Sequence, residues 1–279
     1  MDSRHLVASI FGTPRALIGV IHLPALPGTP ASRLEVAAIG AAAADEARVY
    51  RDAGFQGLMI ENMHDRPYLK RSVGPEVVAA MTVAGLEVRR AVELPLGLQI
   101  LAGANRQAVA VAHACGAAFV RVEGFVFAHV ADEGWIESDA GELLRYRRAI
   151  GAEAVRVFAD VKKKHAAHAV TADLDEAETA KAAELFRADG VVVTGVSTGS
   201  PTDPAAVRSV AAAVGVPTFV GSGVTSENVA EYAAADGLIV GSSVKQAGLW
   251  SNPIDPGRAR SLARAFEKMP AASPASTGG

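Results

Sequence analysis

The feature that most restricts the fold of this chain is a series of eight short apolar segments, separated by longer stretches with helical character. Short runs rich in β-branched and aliphatic residues are typical of buried strands, and their alternation with helices indicates repeated βα units and a parallel sheet. The predicted strands are residues 16–21, 57–61, 96–101, 118–122, 155–160, 190–194, 217–221 and 237–241. Eight units predict a single (β/α)8 barrel, or TIM barrel. An open doubly wound sheet is the alternative, because periodicity does not show whether the first strand pairs with the last.

Helix-start signals between the predicted strands support this interpretation. Asp203 and Asp255 each stand before a proline, so that a capping carboxylate precedes a proline in the first helical position. Thr225 and Ser226 offer capping hydroxyls for a shorter helix after the seventh strand. The segments between the strands are therefore expected to be helical.

One domain is predicted over residues 1–270. The chain has 279 residues, a length that α/β barrels commonly occupy as one unit, and no linker or change in composition divides it. Residues 271–279 are small and polar and include proline and glycine, so we expect them to form a flexible tail.

Charge and cysteine content narrow the classes of function. The formal net charge is −3, with both signs scattered along the chain, which argues against a nucleic-acid duplex or an anionic membrane as the partner. No apolar run is long enough to cross a bilayer. Cys115 is the single cysteine and is expected at a buried helix end, which suits a reducing compartment. We therefore expect a cytoplasmic protein, and base rates are compatible with a homo-oligomer.

Polar residues stand where the predicted strands end, which is where barrels build their ligand sites. This set consists of His22, Glu61, Asn62, Gln99, Asn105, Arg121, Glu123, Asp160, Lys162 and Thr194. We assign His22, Glu61, Asp160 and Lys162 to catalysis and the remainder to substrate binding. A partly desolvated lysine beside a carboxylate, as Lys162 and Asp160 are expected to be, can act as acid, base or Schiff-base nucleophile. The alternative for residues 162–164 is a solvated lysine run.

Two glycine-serine turns follow the last two predicted strands. They are Gly221-Ser222-Gly223 and Gly241-Ser242-Ser243. Glycine lets backbone amides approach a phosphate closely, and serine adds a hydroxyl donor. Barrels often bind phosphate after these two strands, so the turns predict a site for a small phosphorylated metabolite.

A divalent cation is a further hypothesis for the strand ends. Carboxylate oxygens of Glu61, Glu123 and Asp160 suit Mg²⁺ or Mn²⁺, with His22 as a fourth ligand. The alternative is that these carboxylates form ion pairs with Arg121. Spacing along the sequence does not decide between them, so the metal and the cofactor stay unassigned.

Residues 18–30, IGVIHLPALPGTP, resemble the opening of the BtpA family, which includes SgcQ-like proteins. Further segments carry the resemblance through most of the chain: 54–68, 96–126, 158–165, 191–202, and the closing VGSGVTSENV and IVGSSVK. The resemblance implies a fold similar to ribulose-phosphate-binding barrels. It also implies two different settings, since one cyanobacterial member is associated with photosystem I accumulation and SgcQ-like proteins accompany sugar-handling genes. The roles of individual residues are not supplied by it.

Two hypotheses for function follow. The first is an enzyme that acts on a phosphorylated sugar, nucleotide or related metabolite, by isomerisation, aldol-type cleavage or glycosidic cleavage. In this hypothesis Asp160 or Glu61 acts as base, Lys162 or His22 as acid or electrophile, and Arg121 orients an anionic group. The second is a non-enzymatic assembly factor for photosystem I with a vestigial or regulatory pocket. Buried polar groups at strand ends are costly without a ligand, which favours the enzyme.

Overall fold

The computed structural model describes residues 3–195 and 197–270, and its main sheet is a closed barrel of eight parallel strands. The strands are β1 Ala16–His22, β2 Gly57–Glu61, β3 Leu96–Gln99, β4 Phe119–Val122, β5 Arg156–Val161, β6 Gly190–Val193, β7 Thr218–Val220 and β8 Gly237–Val240. Strand β1 pairs with β8 as well as with β2, with Ala16 opposite Gly237. This closure confirms the predicted TIM barrel and excludes the open sheet.

Helices follow the strands as expected, and one further helix, which was not predicted, precedes the first strand. They are α1 Ser3–Phe11, α2 Val36–Ala53, α3 Pro75–Ala91, α4 Asn105–Cys115, α5 Ala140–Ala149, α6 Glu176–Leu185, α7 Pro204–Ala213 and α8 Pro256–Glu267. The side chain of Asp203 accepts a hydrogen bond from the amide of Ala205, and that of Asp255 accepts one from the amide of Gly257, both at 2.8 Å. Between β7 and β8 the chain makes only a short 3-10 helix, Val229–Tyr232. Both predicted proline starts are therefore confirmed, as is the shorter element.

Aromatic rings fill the interior of the barrel near the amino ends of the strands. Phe158 stacks on Phe119 with ring centroids 5.0 Å apart and on Phe219 at 4.5 Å. Helix α1, which lies before the first predicted strand, adds Phe11 against the edge of Phe119 at 5.7 Å. Gly97 makes room for this stack, because a Cβ there would lie 2.1 Å from the ring of Phe119. This end of the barrel is a packed apolar core.

The inward-facing positions change from apolar to polar towards the carboxyl ends of the strands. Side chains of a strand alternate between its two faces, so residues two positions after an inward apolar residue also point inward. Met59 precedes Glu61, Phe119 precedes Arg121, and Phe158 is followed by Asp160 in this way. Because all eight strands are parallel, these polar residues meet at one mouth of the barrel.

A small antiparallel sheet lies outside the barrel and was not predicted. Its hairpin, here called the mouth hairpin (residues 129–136), pairs His129–Ala131 with Gly134–Ile136, and Ala166–Ala167 adds a third strand. The hairpin turns at Asp132 and Glu133.

Three sequence-based expectations concern regions away from the mouth. Cys115 is the last residue of α4 and is buried, as predicted. Within residues 3–195 and 197–270, no helix is both long and apolar enough to span a bilayer. The predicted tail, 271–279, lies outside the described residues.

Candidate functional site

The two glycine-serine turns line one cavity of about 200 Å³ at the barrel mouth, here called the turn cavity. All six turn residues, 221–223 and 241–243, contribute to its wall, together with His22, Glu61 and Arg121. The turns are therefore neighbours and share the mouth with residues from earlier strands, as the sequence suggested.

The turns have the backbone geometry that their composition predicts. Gly223 has a φ of +68°, and a Cβ there would lie 2.4 Å from backbone atoms of Pro201, so only glycine fits. The hydroxyl of Ser222 donates to the carbonyl of Ser200 at 2.9 Å and holds the loop. The hydroxyl of Ser243 is buried and has no hydrogen-bond partner among the described residues. Ser243 therefore offers a free polar atom in the wall of the cavity.

Two cations of the turn cavity were not predicted from the sequence. Arg258, in the first turn of α8, donates from Nε to the carbonyl of Ser243 at 2.8 Å. Lys164 is half-buried and lines the cavity together with the turns and Glu61, and burial, with Arg121 nearby, lowers the pKa of its ammonium. A lowered pKa makes a neutral amine more accessible, which is what a base or nucleophile requires.

Glu61 is the carboxylate that faces the cavity. Its side chain ends β2, and the residue is 5% exposed. Burial raises the pKa of its carboxyl, an effect that Lys164 and Arg121 partly offset. A carboxyl with a raised pKa can carry a proton closer to neutral pH, so Glu61 is suited to proton transfer.

Arg121 and Asp160 form a buried, two-pronged ion pair inside the mouth. Arg121 donates from Nε and Nη2 to the two carboxylate oxygens of Asp160, at 2.7 and 3.1 Å. Asp160 does not line the turn cavity, whereas Arg121 does. Asp160 is therefore engaged by Arg121 and does not face the turn cavity, whereas Glu61 does.

His22 is held as a neutral imidazole. Its Nδ1 lies 2.8 Å from the carbonyl of Trp250, which can only accept, so the proton sits on Nδ1 and Nε2 is an acceptor. Burial, with Lys245 nearby, lowers the pKa of His22 to about 3. A Cβ at Gly241 would lie 3.0 Å from Nε2, so this atom abuts the second turn. His22 therefore presents Nε2 as a hydrogen-bond acceptor beside the second turn.

Lys162 does not reach the mouth, which corrects its assignment to the site. Strand β5 ends at Val161, and Lys162 takes a left-handed backbone conformation with a φ of +46°. Its ammonium donates to the carbonyl of Leu174 and lines neither of the two cavities of the mouth. The alternation of inward and outward positions stops at the strand end, so the neighbouring Lys164 enters the mouth instead.

Asn62 and Asn105 hold the backbone instead of lining the mouth. Asn62 accepts from the amide of Leu101 at 2.8 Å and donates to Asp65 at 2.9 Å. Asn105 donates to the carbonyl of Glu123 at 2.8 Å and to Asp139. Their polar groups are used by the protein, so neither is available to the expected substrate.

Gln99 and Thr194 stand at inward-facing positions near the ends of β3 and β6, but they do not line the turn cavity or the second cavity described below. Gln99 donates to Glu123 at 3.3 Å, and its own carbonyl oxygen has no partner among the described residues. The hydroxyl of Thr194 is likewise buried without a partner in that part of the chain. Neither residue is placed to contact a ligand directly.

A second cavity of about 230 Å³, here called the acid cavity, continues from the first. Glu61, Met63, Lys164 and Thr198 line both. Its remaining acidic residues are Glu123, Asp132 and Glu133. Asp132 and Glu133 were not predicted as site residues, because they do not follow a barrel strand directly. The short Asp132-Glu133-Gly134 stretch between apolar residues is nevertheless typical of a hairpin turn.

Three carboxylates of the mouth, Glu123, Glu133 and Asp160, lie close to cations, and the mouth does not form a metal site. Lys163, which is buried, lies 3.2 Å from Glu123 and 3.7 Å from Glu133, and Asp160 is taken by Arg121. Among residues 3–195 and 197–270, no three histidine, cysteine, aspartate or glutamate side chains come together to hold an ion. The donor set therefore does not fit the divalent cation. Asp160 forms the expected ion pair with Arg121, whereas Glu123 pairs with Lys163.

Comparison with known proteins establishes the family. A model of the BtpA family matches residues 13–268. The chain belongs to the BtpA family. An uncharacterized mitochondrial protein of Caenorhabditis elegans is 46% identical over 264 residues, which cover 92% of this chain and 95% of that protein. The photosystem I biogenesis protein BtpA of Synechocystis is 36% identical over 258 residues, covering 92% and 89%.

Solved structures agree with this assignment at the level of the fold. (S)-3-O-geranylgeranylglyceryl phosphate synthase from Thermoplasma acidophilum, in complex with sn-glycerol-1-phosphate, superposes with a TM-score of 0.59. It is 16% identical, and the match covers 96% of this chain and 100% of that one. At that identity the likeness shows that the BtpA-family chain shares the barrel, and no more.

Proposed function

We propose that this BtpA-family protein is an enzyme that acts on a small phosphorylated metabolite by proton transfer. The observation that carries the proposal is that both glycine-serine turns line the same cavity as Glu61 and Lys164. In the proposal the turns hold the phosphate, and the two ionisable groups act on the part of the metabolite next to it.

The charge around the turn cavity supports an anionic ligand. Arg121, Lys164 and Arg258 line it against a single carboxylate, Glu61, and Asp160 neutralises Arg121. With Arg121 paired, Lys164 and Arg258 leave the cavity with a net positive charge against Glu61. The site is partly desolvated, so charge interactions are stronger there than in water. The unpartnered hydroxyl of Ser243 supplies a further donor. A phosphate group fits these donors and this charge.

Glu61 and Lys164 supply the proposed chemistry. Glu61 removes a proton from the metabolite and returns it at another position, which its raised pKa favours. As an ammonium ion, Lys164 stabilises the negative charge that develops on an adjacent oxygen. As a neutral amine, it instead adds to a carbonyl and forms a Schiff base with loss of the oxygen as water, and hydrolysis later releases the lysine. Isomerisation and aldol-type cleavage both need a base, here Glu61, and a group that acts on the carbonyl, here Lys164. Glycosidic cleavage needs an acid at the position that Glu61 occupies. The proposal is therefore an isomerase, lyase or glycosidic hydrolase.

Binding of inorganic phosphate tests the proposal, with isothermal titration calorimetry as the measurement. We expect the wild-type protein to bind phosphate and Lys164→Ala to bind it about 10-fold more weakly, because one cation leaves a partly desolvated site. Lys162→Ala is the matched control, two residues away in the same segment, and should leave the affinity unchanged. Absence of phosphate binding by the wild-type protein, or equal losses in the two variants, contradicts the proposal.

A second candidate function comes from the name of the Synechocystis relative, a photosystem I biogenesis protein. The identity of 36% supports a common fold and family, whereas the nematode relative is 46% identical, and a nematode has no photosystem. A metabolite enzyme fits both relatives better. The two functions can be separated by expressing this protein in Synechocystis in place of BtpA, with Glu61 and Lys164 each replaced by alanine, and measuring photosystem I. A non-enzymatic assembly factor should tolerate both changes without loss of photosystem I.

A further inference from the structure

The acid cavity carries an inference about the substrate. It shares Glu61, Met63, Lys164 and Thr198 with the turn cavity, so one ligand can extend from the turns into it. The two volumes together fall at the lower end of the roughly 300–1,000 Å³ that small-molecule sites occupy. A phosphorylated ligand bound at the turns would place its other end among the residues of the acid cavity.

Glu133 is the carboxylate that the mouth hairpin contributes to this cavity, and its ion-pair contact with Lys163 is long. The tip of the mouth hairpin carries it inward, where its side chain is 9% exposed. Its Oε2 atom is buried and accepts no hydrogen bond within the described part of the chain. The nearest cation, Lys163, is 3.7 Å away and donates instead to Glu123 at 3.2 Å. A buried carboxylate oxygen without a donor is costly, and a ligand donor would remove that cost.

The surroundings select the kind of donor. The four carboxylates of the cavity, Glu61, Glu123, Asp132 and Glu133, face Arg66, Lys163 and Lys164. This near balance gives little preference for a cationic ammonium group, whereas a mixture of acceptors and donors is what a chain of hydroxyls needs.

One wall of the cavity is apolar, and this also suits a carbon chain that carries hydroxyls. Met63, Leu101 and Ala102 form a small cluster there, with Tyr68 and Trp250 packed against it. Ligand sites commonly combine such an apolar surface with a few placed polar groups. The C–H face of a sugar can lie on this wall while its hydroxyls point to the carboxylates.

We propose that the acid cavity binds the hydroxyl-bearing end of a sugar phosphate, and that Glu133 accepts a hydrogen bond from one of its hydroxyls. The inference rests on the proposed function, because it takes the phosphate to lie at the turns. It makes Glu133 a specificity residue outside the barrel: the turns recognise phosphate in any ligand, and the mouth hairpin distinguishes a sugar phosphate from phosphate alone.

The test compares the affinities of inorganic phosphate, ribose 5-phosphate, glucose 6-phosphate and phosphoethanolamine by calorimetry. We expect the wild-type protein to bind at least one of the two sugar phosphates about 10-fold more tightly than phosphate. Glu133→Gln should remove most of this 10-fold preference and leave the affinity for phosphate unchanged, since the accepting oxygen loses its negative charge and the hydrogen bond becomes weaker. Glu133→Asp, which retains the charge on a shorter side chain, should fall between the two.

The matched control is Glu137→Gln, an exposed position just beyond the hairpin that lines neither mouth cavity. It should behave as the wild type, and unchanged melting temperatures confirm that all variants fold. The inference is overturned if neither sugar phosphate binds more tightly than phosphate, if Glu133→Gln weakens phosphate equally, or if phosphoethanolamine gains most from Glu133. Failure of the wild-type protein to bind phosphate at all instead overturns the proposed function on which the inference rests.

Discussion

The two ends of the barrel interior are built from opposite kinds of side chain. At the amino ends of the strands, Phe119, Phe158 and Phe219 stack in a closed apolar core. At the carboxyl ends, Glu61 and the Arg121–Asp160 pair are buried beside a cavity. Burial of rings stabilises a fold directly, whereas burial of charges costs desolvation that pairing only partly offsets. The amino end therefore holds the barrel together, and the carboxyl end has a composition that stability alone does not explain.

The largest expected effect comes from the aromatic stack. Phe158→Ala removes the ring that contacts both Phe119 and Phe219 and leaves a cavity, so we expect a loss of about 3–5 kcal/mol in the free energy of unfolding. Urea denaturation measures it. Phosphate affinity of the folded variant should stay close to that of the wild type. A loss below about 1 kcal/mol would mean that the amino end is not the stabilising end.

Removal of one member of the buried ion pair should have the next largest effect. Asp160→Ala leaves Arg121 uncompensated, and we expect a loss of about 3 kcal/mol in the same assay. Replacing both residues by leucine should restore stability to within about 1 kcal/mol of the wild type, because the charges then leave together. The double variant should nevertheless bind phosphate more weakly than the wild type, because it lacks Arg121 in the wall of the turn cavity. If the double variant is instead less stable than Asp160→Ala, the pair contributes to the stability of the fold, and the two ends of the barrel differ less in their contribution.

A smaller effect is expected on the stability of the protein at acidic pH, through His22. Because the pKa of His22 is lowered to about 3 in the folded protein, the unfolded chain takes up a proton first as the pH falls. The stability that neutral His22 contributes is complete above about pH 6.5 and is lost as the pH falls towards about 3. Between pH 7 and 4, His22→Gln should therefore lose about 1–2 kcal/mol less than the wild type, with allowance for water in the adjoining cavity.

Unfolding free energies at both pH values measure this difference, and His113→Gln, at an exposed position of α4, is the control. The control should follow the wild type at both pH values. Parallel losses in wild type and His22→Gln would show that His22 is not held neutral, and would make the mouth less desolvated than its burial implies.

The contrast between the two ends was partly visible in the sequence. Alternation along a strand is a local property, so each predicted strand already ordered its inward row, as in Phe119, Arg121 and Glu123. Beyond the end of a strand, the alternation of inward-facing and outward-facing side chains no longer applies. Lys162 continues the row in sequence but turns away at its left-handed backbone, and Lys164 takes the position.

Residues brought in from outside the strands could not be assigned in this way. Arg258 reaches the turns from α8. Glu133 reaches the acid cavity from the mouth hairpin, which lies between β4 and β5 and which the periodicity of the strands does not predict. Asn62 illustrates the reverse case, since it follows a strand directly but faces outward and holds the backbone of Leu101. Nearness to a strand end along the chain does not decide which way a side chain points.

The amino-acid sequence was sufficient to predict the eight barrel strands, two helix starts and the glycine-serine turns, because these depend on local periodicity, capping and backbone freedom. Its motifs were sufficient to predict the BtpA family. Folding of the barrel, in contrast, sets which charges pair and which face a cavity. Arg121 is matched by Asp160, Glu123 by Lys163, and Glu61 is left facing Lys164 across the mouth. Such pairing depends on distances between residues far apart in the chain, which only the closed barrel sets.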